Sequence, residues 1–395
     1  MKRKRIAYIQ YTNPAGYPPL EHSSRILADD GWEVLFLGTG AAGTDKLRFP
    51  EHDHISVRKL PFQEAGWKQK FHFLVFQLWC LRWLLRWGPS WVYVSDLLSC
   101  PAGLLCGFMG IKVIFHEHDS PAADAQGLVQ RTLLWTRKRC ANRASLCVIP
   151  NSQRGEYAKE SLGLRRLPLV VWNCPRLEEV TPPRAAFAGQ GLRLLYHGSI
   201  VPDRLPQAVI DALALLPPDV SITIVGYETL GTPGYIDQLR RKAEELGVGE
   251  RLYVKGTLAT REELMSVCRN HDVGFALMPA SSGDLNLRTM AGASNKPFDY
   301  LACGLALLVS ELPEWEQMFV QPGYGLACNP VSVDSLVAAI SRFYEDAEEM
   351  RAMGERGRQR ILREWNYEYQ FRPVKDQLEG QPSGVAVKVG QEALL

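Results

Sequence analysis

The sequence predicts an α/β protein of two doubly wound, parallel-sheet domains facing a cleft. Three observations carry this. Short apolar runs alternate along the chain with longer segments of helical spacing, the pattern of strands joined by covering helices. The alternation stops at residues 176–191, which hold Thr181-Pro182-Pro183 and Gly189-Gln190-Gly191 without periodicity, and then starts again. Runs such as residues 305–309 are apolar at every position, as in a strand covered on both faces. At 395 residues the chain is long enough for two such domains.

Taken in order, residues 5–11 form a first strand through Ile6, Ala7, Tyr8 and Ile9, and 12–20 a loop with Pro and Gly. Residues 22–30 are helical, 31–38 are a turn and second strand, and 54–60 a third. Strands at 91–95, 112–116, 146–150 and 169–172 follow, the last two after helical stretches. The second half repeats the scheme: strand 192–196, helix 206–216, strand 221–225, helix 235–246, strand 252–255, helix 260–270, strand 273–278. Pro297 suits a first helical turn, where its missing N–H costs nothing. Phe298, Tyr300, Leu301 and Ala302 supply a buried stripe, and Gly304 ends that helix. Residues 335–365 read as one long helical stretch rich in Glu and Arg, 367–378 as a final helix, and the remainder as a loose tail.

Composition narrows the class. Hydrophobic content of 46% and charged content of 22% fit a soluble globular protein, and a net charge of +2 gives no global attraction to nucleic acid. Nine cysteines, an odd number, show no zinc spacing; free thiols in a reducing compartment are expected. The basic start Lys2–Arg5 is followed by too short an apolar run for a signal peptide, so the expected location is cytoplasmic.

The chemistry-bearing motifs lie at strand ends. Residues 294–304 combine Lys296 and Asp299 with a helix start, and a helix N-terminus with a nearby cation suits phosphate. Asp299 has two readings: acceptor of hydrogen bonds from a ribose diol, or a partner for the helix start. Gly198 follows a strand and lets backbone approach a ligand closely, with Ser199 and Arg204 beside it. Read alone, Arg204 is equally a solvated surface arginine. Gly226 and the Lys255-Gly256-Thr257-Leu258 string also follow strands. Between residues 116 and 119 stand two His and two acids, but alternate side chains of extended backbone point to opposite faces, so zinc is not favoured and an ordinary loop remains open.

The string Asn295-Lys296-Pro297-Phe298-Asp299-Tyr300-Leu301-Ala302-Cys303-Gly304 resembles the N-K-x-x-E-Y-x-A-x-G-x-P segment of GT-B glycosyltransferases, specifically the retaining family 4 group. The resemblance covers nearly the whole chain and is strongest over 192–330. It implies an N-terminal acceptor-side Rossmann-like domain (1–175), a linker (176–191), a C-terminal nucleotide-sugar domain (192–365), a crossover helix (366–380) and a tail (381–395). It implies a retaining transferase of the hexosyl type that uses a nucleotide sugar, UDP- or GDP-linked, with no bound cofactor and no required metal.

Site roles follow from the same resemblance. Arg204, Lys296 and His118 take the catalytic places, with His118 at the donor sugar and Asp119 shaping the acceptor side. Gly16, Gly198, Ser199, Gly226, Gly256, Leu258, Asn286, Asn295, Pro297 and Asp299 take donor-binding places. Three positions depart from the pattern: Ser199 replaces an Arg, Ala291 replaces the first of two Glu, and Asp299 replaces the second. They keep two other classes open, a non-catalytic partner of a membrane glycosyltransferase and a nucleotide-sugar epimerase on the same fold.

Residues 67–91 hold five of the ten tryptophans together with Lys68, Lys70, Arg82 and Arg86, and no acid. Trp79, Trp83 and Trp87 share one helical face. The apolar stretch is short for a bilayer span, and Trp with Arg suits the headgroup region. The segment is expected to rest on the cytoplasmic face of a membrane and serve a glycan or lipid-linked acceptor; a buried helix with a basic rim is the other reading.

Overall fold

The computed structural model describes residues 4–41, 46–121, 127–184, 191–229 and 231–380. The expected tail at 381–395 and residues 185–190 of the expected linker lie outside the described residues. The chain forms two compact units. Among the described residues, the first takes the chain to Asn173, then Asp284–Ala293 and the last helix; the second takes the rest.

The first unit is a seven-stranded parallel sheet. Its strands are β1 (Arg5–Ile9), β2 (Glu33–Thr39), β3 (Ile55–Leu60), β4 (Trp91–Ser95), β5 (Lys112–His116), β6 (Leu146–Ile149) and β7 (Leu169–Val170). They lie in the order β3-β2-β1-β4-β5-β6-β7, so the winding reverses between β1 and β4. Strand alternation builds two cores. Ala7, Ile9, Val92 and Val94 pack on one side with α2 (Trp67–Trp87), α3 (Cys100–Phe108), α4 (Leu128–Arg143) and α5 (Ser152–Leu162). Ile6, Tyr8, Trp91 and Tyr93 pack on the other with α1 (Pro18–Asp29) and α14 (Tyr367–Glu379).

The second unit is a six-stranded parallel sheet in the order β10-β9-β8-β11-β12-β13. Its strands are β8 (Leu192–Ile200), β9 (Val220–Glu228), β10 (Leu252–Gly256), β11 (Val273–Ala276), β12 (Ala306–Ser310) and β13 (Gly325–Cys328). Winding reverses between β8 and β11. The helices used below are α8 (Arg261–Arg269), α9 (Leu285–Arg288, in the first unit), α10 (Asn295–Ala302), α12 (Val333–Glu345) and α13 (Ala347–Arg363). Both units are therefore doubly wound, as the sequence predicts.

Local differences have local causes. The single stretch expected at 335–365 is two helices, because Asp346 leaves helical geometry and its carboxylate caps α13, accepting from Glu349 N at 2.9 Å. The first strand of the second half runs on to Ile200, so Gly198 lies inside β8 rather than in a turn after it. Gly304 does close α10: at φ 70° its N–H donates to Leu301 O at 2.9 Å, while Leu305 N donates to Tyr300 O at 3.0 Å. The described part of the expected linker packs with the second unit, where Thr181 N donates to Ala302 O and Arg358 Nη1 to Thr181 O, both at 3.0 Å. Trp79, Trp83 and Trp87 share a face as their spacing requires, but it is turned inward: all three are half-buried against the sheet core.

Candidate active site

In the second unit three glycines stand near the carboxyl ends of neighbouring strands: Gly198 in β8, Gly226 in β9 and Gly256 at the end of β10. Gly198 and Gly226 face each other in the ladder at φ 113° and 145°. A methyl group on Gly226 would run into the Gly198 carbonyl, and one on Gly198 would lie 3.0 Å from Lys296 Cε. The bare backbone is what leaves room for that lysine. Thr257 Oγ1 donates to Gly226 O at 3.5 Å, joining the loop of Gly256 and Leu258 to the same edge.

Lys296 is the second residue of α10, 7% exposed, with Nζ 5.4 Å from the centre of the Tyr196 ring. Burial first, and the Arg204 charge second, push its ammonium down to about 7, against the pull of Asp299. Arg204 donates through Nη1 to Ser199 Oγ at 3.0 Å. Ser199 thus fixes the guanidinium of the cation that remains. Asn295 and Pro297 flank Lys296 in the first turn of α10.

Asp299 lies deeper, 1% exposed. Its Oδ1 accepts from Arg261 Nη2 at 2.9 Å, Arg261 Nε donates to Glu179 Oε1 at 2.6 Å, and His197 Nε2 stands 3.5 Å from Asp299 Oδ2. The expected ribose acceptor is therefore already the centre of a buried ionic group. Burial, Lys296 and Arg261 hold the His197 imidazole well below its usual range, so it is neutral.

The first unit builds a different cluster at the carboxyl ends of β1, β4 and β5. Ser95 and His116 are register partners, and Gln10 follows β1 alongside them. Gln10, Ser95, His116 and His118 are all buried. Both polar atoms of the Gln10 amide, Ser95 Oγ, His116 Nε2 and both His118 ring nitrogens have no hydrogen-bond partner among the described residues. Native interiors rarely leave so many polar atoms together unpaired, which marks a place for ligand or water. The ring centres of His116 and His118 lie 3.9 Å apart with their planes tilted by 40°, and the Tyr17 ring centre lies 5.4 Å from that of His118. Burial, then Arg154, pushes His118 down to about 3, so it too is neutral. Gly16 ends the short turn that leads from β1 to Tyr17 and α1.

Asp96, immediately after β4, is the only non-glycine residue with positive φ (61°) among the described residues. Its Oδ1 accepts from His118 N at 2.8 Å. Burial, helped by the nearby Asp119 and Glu117 charges, raises the carboxyl to about 8. A strained, protonatable acid beside unpaired polar groups is a frequent mark of function. Glu117 is bound instead by Arg137, at 2.5 and 2.7 Å, and by Ser120 Oγ at 2.9 Å.

Arg154, 1% exposed, ties the His118 loop to residues 284–293. It donates to His118 O (2.6 Å), Asn286 O (2.8 Å) and Thr289 O (3.1 Å) and meets Asp119 Oδ1 at 3.3 Å. The Asn286 amide is committed to the Ser120 backbone, accepting from N at 2.8 Å and donating to O at 2.9 Å. Asn286 thus belongs to the first unit, as Gly16 does, while the remaining donor-binding candidates belong to the second.

So the second unit gathers Gly198, Ser199, Gly226, Arg204, Lys296 and, one layer down, Asp299, while His118 and Asn286 stand in the first. Sequence reasoning missed Asp96, His116, His197, Arg154 and Arg261. The two histidines do carry a signal, each lying at or near the end of an apolar run; the arginines carry none.

Residues 20–174 match the family model described as a glycosyl transferase 4-like domain, and residues 204–376 the one described as glycosyl transferase-like. Among solved structures, the chain is similar to HepE of Anabaena in complex with UDP and glucose: 18% identity, TM-score 0.71, covering 96% of this chain and 100% of that one. It is also similar to sucrose-phosphate synthase of Thermosynechococcus elongatus, with 15% identity, TM-score 0.68 and coverage of 96% and 99%. WaaG, a glycosyltransferase involved in lipopolysaccharide biosynthesis, aligns with 15% identity, TM-score 0.62 and coverage of 95% and 100%. At these identities the likeness establishes the fold. No curated protein matches the sequence.

Proposed function

The chain belongs to the GT-B glycosyltransferases, and from that premise we propose that it moves a sugar, with retention of configuration, from a UDP- or GDP-sugar to a glycan or lipid-linked acceptor at the cytoplasmic face of a membrane, in polysaccharide or glycoconjugate biosynthesis. The observation that carries the donor side is the convergence of Lys296 and Arg204 beside the bare backbone of Gly198. A diphosphate leaving group develops negative charge as the glycosidic bond breaks. Two preset cations and the start of α10 lower the cost of that charge. HepE, as solved with UDP or UDP-glucose, supports a uridine donor by analogy.

The neutral cluster of Gln10, Ser95, His116 and His118 suits sugar hydroxyls, which need donors and acceptors but no net charge. In the retaining reaction the departing phosphate oxygen takes the acceptor proton on the same face, so the protein's task is positioning. Residues 67–91 would bring the site to the membrane.

The test is thermal stabilisation of the full chain by UDP, GDP, ADP, CMP and dTDP, with and without Mg²⁺. A shift with one nucleotide names the base, after which the anomeric configuration of the product tests retention. The Asp299–Arg261 pairing and the Ser199 and Ala291 departures favour a second reading, a non-catalytic partner protein; no shift with any nucleotide would establish that one. Isomerised sugar released without acceptor would point to an epimerase.

A further inference from the structure

Helices α2, α3 and α4 pack side by side on one face of the first sheet, α2 through Phe76, Cys80 and Leu84, α3 through Cys100 and Leu104, α4 through Cys140 and Ala141. Their other sides are not covered by any of the described residues. On α2 the outward stripe is Trp67, Phe71, Leu74, Leu78 and Leu85, a continuous helical face with Trp67 75% and Leu78 69% exposed. It is not the tryptophan face that the spacing first suggests. On α3, Leu105 and Phe108 are exposed, with Met109 just beyond; on α4, Leu128, Val129 and Trp135 are.

The charges on these three helices are of one sign. The three helices contain no Asp or Glu. α2 carries four exposed basic residues, and α4 carries Arg131, Lys138, Arg139 and Arg143, all exposed. Basic and aromatic groups are interleaved: the Arg143 guanidinium lies 4.2 Å from the Phe108 ring centre and that of Arg139 5.6 Å from Trp135. On the opposite face of the same sheet, α1 and α14 mix the acids Glu21, Asp29, Glu368, Asp376 and Glu379 with the bases Arg25, Arg372 and Lys375. Unlike that mixed face, α2, α3 and α4 carry basic residues alone.

We propose that α2, α3 and α4 form one interfacial platform for an anionic bilayer, with the α2 stripe and the α3 end set among the acyl chains and the α4 cations on lipid phosphates. This deepens the membrane-surface reading above and rests on it. No helix among the described residues is long and apolar enough to cross a membrane. A helix with a wide apolar face and flanking cations lies in the interface plane instead, its side chains reaching about 5–10 Å below the headgroups. An acidic protein partner would match the charge but would leave the contiguous aliphatic stripe without a reason.

The experiment is co-sedimentation of the full chain with vesicles of phosphatidylcholine alone or with about 30% phosphatidylglycerol. Binding to the anionic vesicles, weakened by salt, is expected. The triple variant R131E/K138E/R139E should lower partitioning by at least about a hundredfold, which is the value of merely losing three basic residues at such a surface. F71S/L78S should lower it too. Nucleotide-induced thermal stabilisation, read on the same samples, should stay as in the parent, which shows both variants folded and separates this proposal from the transferase reading. No vesicle binding, or binding that both variants leave intact, overturns the platform. A self-associated species that F71S/L78S breaks, without vesicle binding, overturns it in favour of a contact between copies of the chain.

Discussion

The two units place their polar clusters at the same point of the same architecture, the carboxyl ends of strands where a parallel sheet reverses its winding, yet fill that point with different electrostatics. In the second unit, Gly198 and Gly226 clear space for Lys296 and Arg204, and positive charge dominates. In the first, the adjacent His116 and His118 are held neutral by burial beside Gln10 and Ser95. Crossover topology creates a crevice and leaves its chemistry open. A cationic crevice fits a diphosphate, and a neutral one fits hydroxyl groups. The same burial depresses the bases in both clusters.

If the division holds, the largest effect belongs to Arg204→Ala. Turnover should fall by about 10²–10³, the value of one strong charge stabiliser, with weakened nucleotide binding in a thermal-shift titration. Near-normal turnover would break the comparison at its strongest point. His118→Asn should lower turnover about tenfold to a hundredfold through lost positioning while leaving nucleotide stabilisation intact. A parallel loss of nucleotide binding would show that the first cluster also serves the phosphate.

Lys296 sharpens the contrast through pH. Its folded value near 7 lies below its usual 10.5, so burying the charged form costs stability in full below about pH 7, and the cost fades as pH rises toward 10.5. Lys296→Met should therefore melt higher than the parent at pH 6, with the gap shrinking by pH 9.5. In the parent, nucleotide affinity should weaken as pH rises through 7, because the ammonium that meets the phosphate is lost. The smallest effect is expected for Ser199→Ala, which frees one contact of Arg204: about fivefold in nucleotide affinity, the value of a single hydrogen bond.

What the sequence disclosed follows physical range. Strand-end glycines and the Lys296 helix start are local signals, and the structure sets Gly198, Gly226 and Lys296 side by side. The spacing of Trp79, Trp83 and Trp87 establishes a common face but not its direction, because the outer stripe of α2 is nearly as apolar as the inner one. Asp96 was illegible because its distinction is a backbone angle, which no residue pattern encodes. Asp299 was legible as a special residue, but its partner Arg261 sits 38 positions earlier in what reads as an ordinary amphipathic helix. The partners of Arg154 near residue 289 are more than 130 positions away, beyond any periodicity.

That clamp bears on how such a protein can be inherited in pieces. Residues 284–293 are written in the middle of the second half of the chain, yet they fold with the first unit, held by Arg154, by Asn151 on Thr289 O at 2.7 Å and by Asn173 on Ala293 O at 2.6 Å. A recombination that exchanged everything after residue 191 for the counterpart of another transferase would also exchange this strip, and Arg154 would then face a foreign surface. The domain is a unit of folding here without being a unit of the gene. A viable chimera has to keep 284–293 native inside the imported half.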